Sequence, residues 1–450
     1  MKIFLQIVVF LMIISSFIAC GDEKSAPTVL TPTPIVSAAQ VTGGLPFIVI
    51  RMQFTDYKFG SSEAVWSQKI FGTSSGQLND YYNEVSKGSL QLSQIPDDDT
   101  IIGGESNDSI ITVTLNYPHP QNDTLSNAIF AEALSLTDDY VDYSLYDENN
   151  DSFISVDELQ IMFIVAGDEW ATYASGQARG GVWAHQYALP LTGIGQAPTL
   201  DAVRLMATGH GTYSCFGEHH FDHVQNATIG VMAHELGHAI YHIPDLYDTD
   251  STSAGIGAFG LMASGAWAYT GGQNYGASPV HMSAWSKMQA GFITVDEHNS
   301  SENDINLTAA SLENFNVVKV PINSNEYFLL ENRQNLGYDK GLYMLENRTF
   351  TGGVAIWHIN ESVINAKSTS NWVNRDETAK GVDLEEARFA QLDYGPNYYG
   401  VIWNLFYAGN SSAFSDATTP NSKDDASGFT GIVIDNISSS ASVMTFNLSK

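Results

Sequence analysis

The residues in this chain best suited to chemistry are His234-Glu235-Leu236-Gly237-His238, a His-Glu-x-x-His run. On an α-helix, positions i and i+4 project from one face about one turn apart. Two imidazoles so placed can reach one Zn²⁺ at about 2.0–2.1 Å. Glu235 lies beside them, where a carboxylate can take a proton from a polarised water. Such a site needs a third protein ligand. Asp245 is the first choice, because the chain just past Pro244 can fold back towards the metal; Asp248 is an alternative. His242 follows His238 by four residues, but in an unbroken helix it stands roughly 12 Å along the axis from His234. It could share the ion only if the last turn unwound. Further on, Met262 in Gly260-Leu261-Met262-Ala263-Ser264-Gly265 is expected in a tight turn as an apolar floor, not a ligand.

Residues 226–243 read as the helix that must carry these groups, with Asn226 or Thr228 capping its start and Pro244 stopping it. Ile229, Met232, Ala233, Leu236, Ala239 and Ile240 supply its buried flank. Apolar runs at 45–54 and 160–166 suit central, fully buried strands. Segments 89–95 and 109–115 also read as strands, 61–86 and 126–136 as helices, and 182–184 as a further short strand. Strands alternating with helices indicate an α/β layer over 45–300. From 301 to 450, short apolar segments recur between Gly, Asn and Ser turns, the pattern of an all-β, sandwich-like C-terminal domain.

Residues 147–158 read Asp-Glu-Asn-Asn-Asp-Ser-Phe-Ile-Ser-Val-Asp-Glu. Asp147, Asn149, Asp151, the Phe153 carbonyl and Glu158 fall at the oxygen-ligand positions of an EF-hand-like calcium loop. Ser152 stands where Gly is usual. The chain has 19 Lys and Arg against 50 Asp and Glu, a net charge of −31. That excludes nucleic-acid binding through clustered basic residues. Residues 88–178 hold 17 of the acids and no Lys or Arg, so bound cations would relieve some of the repulsion. With 44% apolar and 11% aromatic residues the chain nonetheless has material for a core.

At the N-terminus, an apolar run over 3–19 ending Ala19-Cys20-Gly21 has the layout of a lipoprotein signal peptide (1–19), with Cys20 carrying the lipid. A Ser/Thr/Pro-rich stretch over 20–44 reads as a flexible tether. Cys215 is then left without a disulfide partner and is expected as a small buried residue. His219, His220 and His223 are expected in a loop near the cleft; together with Cys215 they could form a second metal cluster.

The chain resembles the immune inhibitor A-like family of secreted bacterial zinc metalloproteases over roughly residues 45–450. The likeness rests on Gln53-Phe54-Thr55-Asp56, the acidic loop, Val182-Trp183-Ala184-His185, His234–His238 with Pro244-Asp245-Leu246-Tyr247-Asp248, and Leu261-Met262-Ala263-Ser264-Gly265. It continues through Glu326–Arg333, Gly353–Ile359 and Phe414-Ser415-Asp416. The resemblance implies a metzincin-like catalytic fold, endopeptidase activity, one catalytic zinc and structural calcium. One departure is visible: Tyr241 stands where the family has Gly after the second His, and one residue is added before Pro244. The expected activity is zinc-dependent cleavage of proteins by a monomer tethered to the bacterial cell envelope, or secreted. The alternative is a catalytically silent surface adhesin or binding protein on the same fold.

Overall fold

The computed structural model describes residues 43–99, 105–121, 125–172, 179–221, 223–347, 350–395 and 398–450. Cys20, the signal segment and nearly all of the tether lie outside them. The tether expected to reach Gly44 gives way to strand at Gly43, because Gly43 and Gly44 already pair with Leu90 and Gln91. The chain divides into two compact units, one of residues 43–83 and 89–242, the other of 84–88 and 243–450.

The first unit is built on a seven-stranded sheet. Its strands are β1 (Gly43–Gln53), β2 (Leu90–Gln94), β3 (Ile110–Thr114), β4 (Gln160–Asp168), β5 (His185–Tyr187), β6 (Tyr213–His220) and β7 (Gln225–Asn226). They run in the order β2-β1-β4-β6-β5, with β3 also on β1 and β7 on β6. Parallel pairing joins β1 to β2, β3 and β4, and β4 to β6, while β5 and β7 pair antiparallel with β6. All nine residues of β4 are buried, as parallel strands covered on both faces require. Ile48, Ile50, Met52, Ile111, Val113, Ile161, Phe163 and Val165 join Phe130 in one core.

The stretch 61–86 expected as one helix forms two, α1 (Glu63–Phe71) and α2 (Leu78–Val85). Gly72 ends the first in extended conformation, and Gly76 takes a positive φ of 89° between them. Helix α3 spans Asn127–Ser135 and α4 spans Ile229–Tyr241. His219 and His220, expected in a loop, lie instead at the end of strand β6, while His223 is in a turn beyond it. The polar residues of β6 hid the pattern, but Ser214, Glu218 and His220 are buried in the sheet.

In the second unit, helix α5 (Ala284–Gln289) precedes two sheets. One holds β8 (Asp296–Glu297), β10 (Val318–Pro321), β11 (Glu326–Arg333), β12 (Gly353–Asn360) and β13 (Val382–Leu384), in that order. The other holds β9 (Glu302–Thr308), β16 (Val443–Ser449), β15 (Val433–Asp435) and β14 (Phe414–Ser415), in that order. Phe328, Leu330, Val354 and Ile356 from the first meet Phe414, Ile434, Met444 and Phe446 from the second in a common core. This is sandwich packing, as the recurring short apolar segments imply. The fold class is therefore a mixed α/β region followed by β-rich sheets. Among the described residues no helix is long and apolar enough to cross a membrane.

Candidate metal centre

Helix α4 starts after Thr228 and is buried at every position but His238, which is half-buried. Thr212 Oγ1, just before β6, donates to the Ala239 carbonyl and Tyr82 Oη of α2 to that of Ala233, which pins the helix at two points within the first unit. His234 and His238 then face each other with their Nε2 atoms 3.1 Å apart. Two imidazoles on one tetrahedral zinc stand about 3.3 Å apart at normal bond lengths, so the pair already has the spacing of shared ligands. One ligand atom each from His234, His238 and Asp245 lies within 4.8 Å of the other two. Two imidazoles and one carboxylate are the donor set of a catalytic zinc with a position left for water or substrate. The residues fit the ion.

The exit from α4 explains how Asp245 arrives. Tyr241 is still helical, and the left-handed turn falls one residue later, at His242, with φ 53° and ψ 29°. The added residue thus moves the helix stop by one position and gives the turn to a histidine where a glycine would be unstrained. His242 is exposed and lies outside the ligand group. The turn sends Ile243 and Pro244 inward, and Asp245 is buried.

The Asp245 carboxylate is oriented by neighbours that sequence reading missed. Its Oδ2 accepts from Tyr247 Oη at 2.8 Å and from Asn371 Nδ2 at 2.6 Å, while Asn371 Oδ1 accepts from the Asp245 backbone N–H at 2.8 Å. Such second-layer bonds fix a ligand's direction. Tyr247 sits two residues away and was open to notice; Asn371 is remote in sequence and carried no signal. Asp248 does other work: its Oδ1 accepts from Asp250 N–H, and its Oδ2 from Ser253 N–H and Thr252 Oγ1. It organises its own turn. Met262 is buried in a tight turn, and its carbonyl accepts from Leu246 N–H at 2.7 Å.

Glu235 is buried beside the histidines on α4. A second carboxylate, Glu169, stands close enough for the two to repel. The β4–β6 register shifts between Val165 and Asp168, and Gly217 lets the backbone at 168–169 come close; a Cβ there would lie 2.4 Å from Glu169 N. Glu169 Oε1 accepts from Ala171 and Ala184 N–H, and Oε2 from Gly217 N–H. Burial pushes this carboxyl up to about 8, against those three donors, and repulsion from Glu235 adds to the rise. Nothing in the sequence distinguishes Glu169 beyond its place at the end of an apolar strand.

The remaining candidates do not converge. Cys215 is buried on β6 with Sγ 3.2 Å from His185 Nδ1. His223 Nδ1 bonds Asp168 Oδ2 at 2.6 Å, His219 Nδ1 stands 3.7 Å from Glu218 Oε2, and burial lowers His220 to about 3, with Lys69 and His219 adding to the shift. In the acidic loop, Asp147 accepts from Asp151 and Ser152 N–H, Asn149 from Asp151 N–H, and Asp151 from Phe153 N–H. Ser152 takes φ 67°, the conformation for which glycine is usual. Glu158 Oε1 accepts from Glu148 and Asn149 N–H, and Oε2 from Ser155. The side chains already close the loop on its own backbone.

A pair of helix-borne imidazoles, a buried carboxylate beyond the helix end and a buried glutamate between them define a metallopeptidase-type centre. The profile of the immune inhibitor A peptidase M6 catalytic domain matches residues 54–293, more than half of the chain. The chain belongs to that family and is a zinc metalloendopeptidase, of a kind that acts on proteins and is typically secreted by bacteria. No curated protein sequence matches it. Two crystal forms of OgpA from Akkermansia muciniphila are similar at 14% identity. They cover 68% and 72% of this chain and 77% and 86% of OgpA, with TM-scores of 0.29 and 0.31.

Proposed function

We propose that this peptidase holds its zinc through His234, His238 and Asp245 and hydrolyses peptide bonds with Glu235 as general base. The observation that carries the reading is the convergence of those three ligand atoms beside a buried glutamate. When bound, zinc supplies a Lewis acid for the scissile carbonyl and for water. Glu235 takes the proton as water attacks the carbonyl carbon, then delivers it to the amide nitrogen as the C–N bond breaks. Asn371 and Tyr247 hold the Asp245 carboxylate in its ligand direction. Met262 closes the turn bonded to Leu246, just past Asp245.

The domain reading proposed is a catalytic domain over 45–300 and a β domain over 301–450, behind a signal peptide and a tether anchored by a lipid on Cys20. The loop 147–158 is proposed as a structural calcium site, supported by its ligand spacing and by the left-handed Ser152. Holding the ion would require Glu158 to exchange backbone N–H groups for it. Casein hydrolysis by the purified protein, with and without a zinc chelator and in the Glu235→Gln variant, tests the central claim. Activity that survives the substitution would refute the assigned base; zinc lost along with activity would refute the assigned roles.

A further inference from the structure

A second set of ligand-type side chains lies in the β-rich unit. Side chains on one face of neighbouring strands meet directly opposite and on the diagonal. Phe328 of β11 is opposite His358 of β12, so Glu326, two residues before Phe328, reaches His358 on the diagonal. On the other flank Asp383 of β13 is opposite His358, and Glu385 follows two residues on. Asp425 comes from the segment between β14 and β15 of the other sheet, and its backbone N–H donates to Glu326 Oε2 at 2.9 Å. Asn360 Nδ2 donates to Asp425 Oδ2.

The result is one imidazole among carboxylates from two strands and a loop. One ligand atom each from Glu326, His358 and Asp425 lies within 4.8 Å of the other two. His358 Nε2 stands 3.4 Å from Glu326 Oε2, and Nδ1 stands 3.4 Å from Glu385 Oε1 and 3.7 Å from Asp425 Oδ1. The His358 side chain is only 9% exposed, and its Nε2 makes no hydrogen bond among the described residues. A buried ring nitrogen facing a carboxylate without a hydrogen bond is what a ligand set looks like without its ion.

We propose that Glu326, His358 and Asp425 form a second metal site, for a divalent transition ion such as Zn²⁺ or Mn²⁺. An imidazole with two carboxylates suits such ions, whereas an all-oxygen cage would suit calcium. The two carboxylates neutralise the ion's charge, and Glu385 is placed to support the ring through Nδ1. The ion ties the 416–432 segment of one sheet to strands β11 and β12 of the other, so it acts as a clip across the sandwich. A proton competes for the same place. Burial pulls the His358 pKa down, but Glu385, Asp425 and Asp383 together raise it to about 9.

The test is metal content of the full chain, stripped by chelation, reloaded with Co²⁺ and counted by mass spectrometry. The wild type should hold two equivalents, and His358→Gln and Asp425→Asn one each, with hydrolysis of casein by the zinc-loaded variants retained. Asp425 is exposed, so its substitution keeps the test open should His358→Gln fail to fold. Mn²⁺ or Zn²⁺ should raise the unfolding temperature of the wild type more than that of Asp425→Asn. A wild type that holds one equivalent, variants that still hold two, or a second equivalent taken only as Ca²⁺ would overturn the proposal.

Discussion

The two clusters of ligand-type residues are assembled in opposite ways. In the helical centre, His234, His238 and Asp245 come from one short stretch, and an α-helix alone brings the two imidazoles to 3.1 Å. In the β-rich unit, Glu326 and Asp425 are 99 residues apart and meet only through strand register and a loop. A helix supplies its spacing from backbone geometry, so the first cluster is specified locally. The second exists only if β11, β12 and the 416–432 segment are all in place. Local assembly makes a site readable and robust, whereas assembly by register makes it a reporter of the whole sandwich.

The largest expected effect separates chemistry from ligation in the helical centre. Glu235→Gln should lower kcat/KM by about 10²–10⁴-fold while zinc content stays at the wild-type level; a stopped protein-hydrolysis assay with metal analysis checks both. Next, Asn371→Ala should weaken zinc binding by about 10–100-fold, since it removes the remote partner of Asp245. A competition titration with a zinc chelator measures that, and an unchanged affinity would confine control of the centre to residues 234–247. Glu169 gives a smaller, pH-dependent effect. Its folded pKa of about 8 lies above its ordinary value, so the folded chain keeps a proton that the unfolded chain has released. Stability should therefore fall as pH rises from about 5 to about 8, by up to about 1.4 kcal/mol per unit. Glu169→Gln should be less stable at pH 5, with the gap narrowing towards pH 8, as urea unfolding at each pH would report. The smallest effect belongs to His242→Gly. It should leave zinc content and activity unchanged and change stability by no more than about 1–2 kcal/mol, because it relaxes a left-handed residue but adds unfolded-state freedom.

Legibility in the sequence followed the same division. The helix, its two histidines and Glu235 are separated by spacings that helical geometry converts directly into a face. Strands β1 and β4 were visible because burial on both faces demands unbroken apolar runs. Strand β6 was not, because His219 and His220 read as loop, whereas His220 is buried in the sheet with Ser214 and Glu218. Ser152 and His242 show a further limit. Each occupies a left-handed position where composition points to glycine, and only the surrounding bonds hold them there. Asn371 acts through two hydrogen bonds to Asp245, and Glu169 through bonds from Ala171, Ala184 and Gly217, which leave no periodic trace.

The placement of β1 bears on how the protein carries mechanical load. Its first residues, Gly43–Phe47, pair with β2; the same edge continues on β3, and the other edge holds β4 from Phe47 to Met52. The proposed tether feeds directly into this central strand. Tension applied along the axis of β1 would act across the evenly spaced, slanted ladder bonds of its parallel pairs. Those bonds would have to yield together in shear and not one at a time as in peeling. A peptidase fastened to a surface by this end would meet tension at one of its most firmly held strands, and drag on a bound substrate would reach the anchor through the sheet.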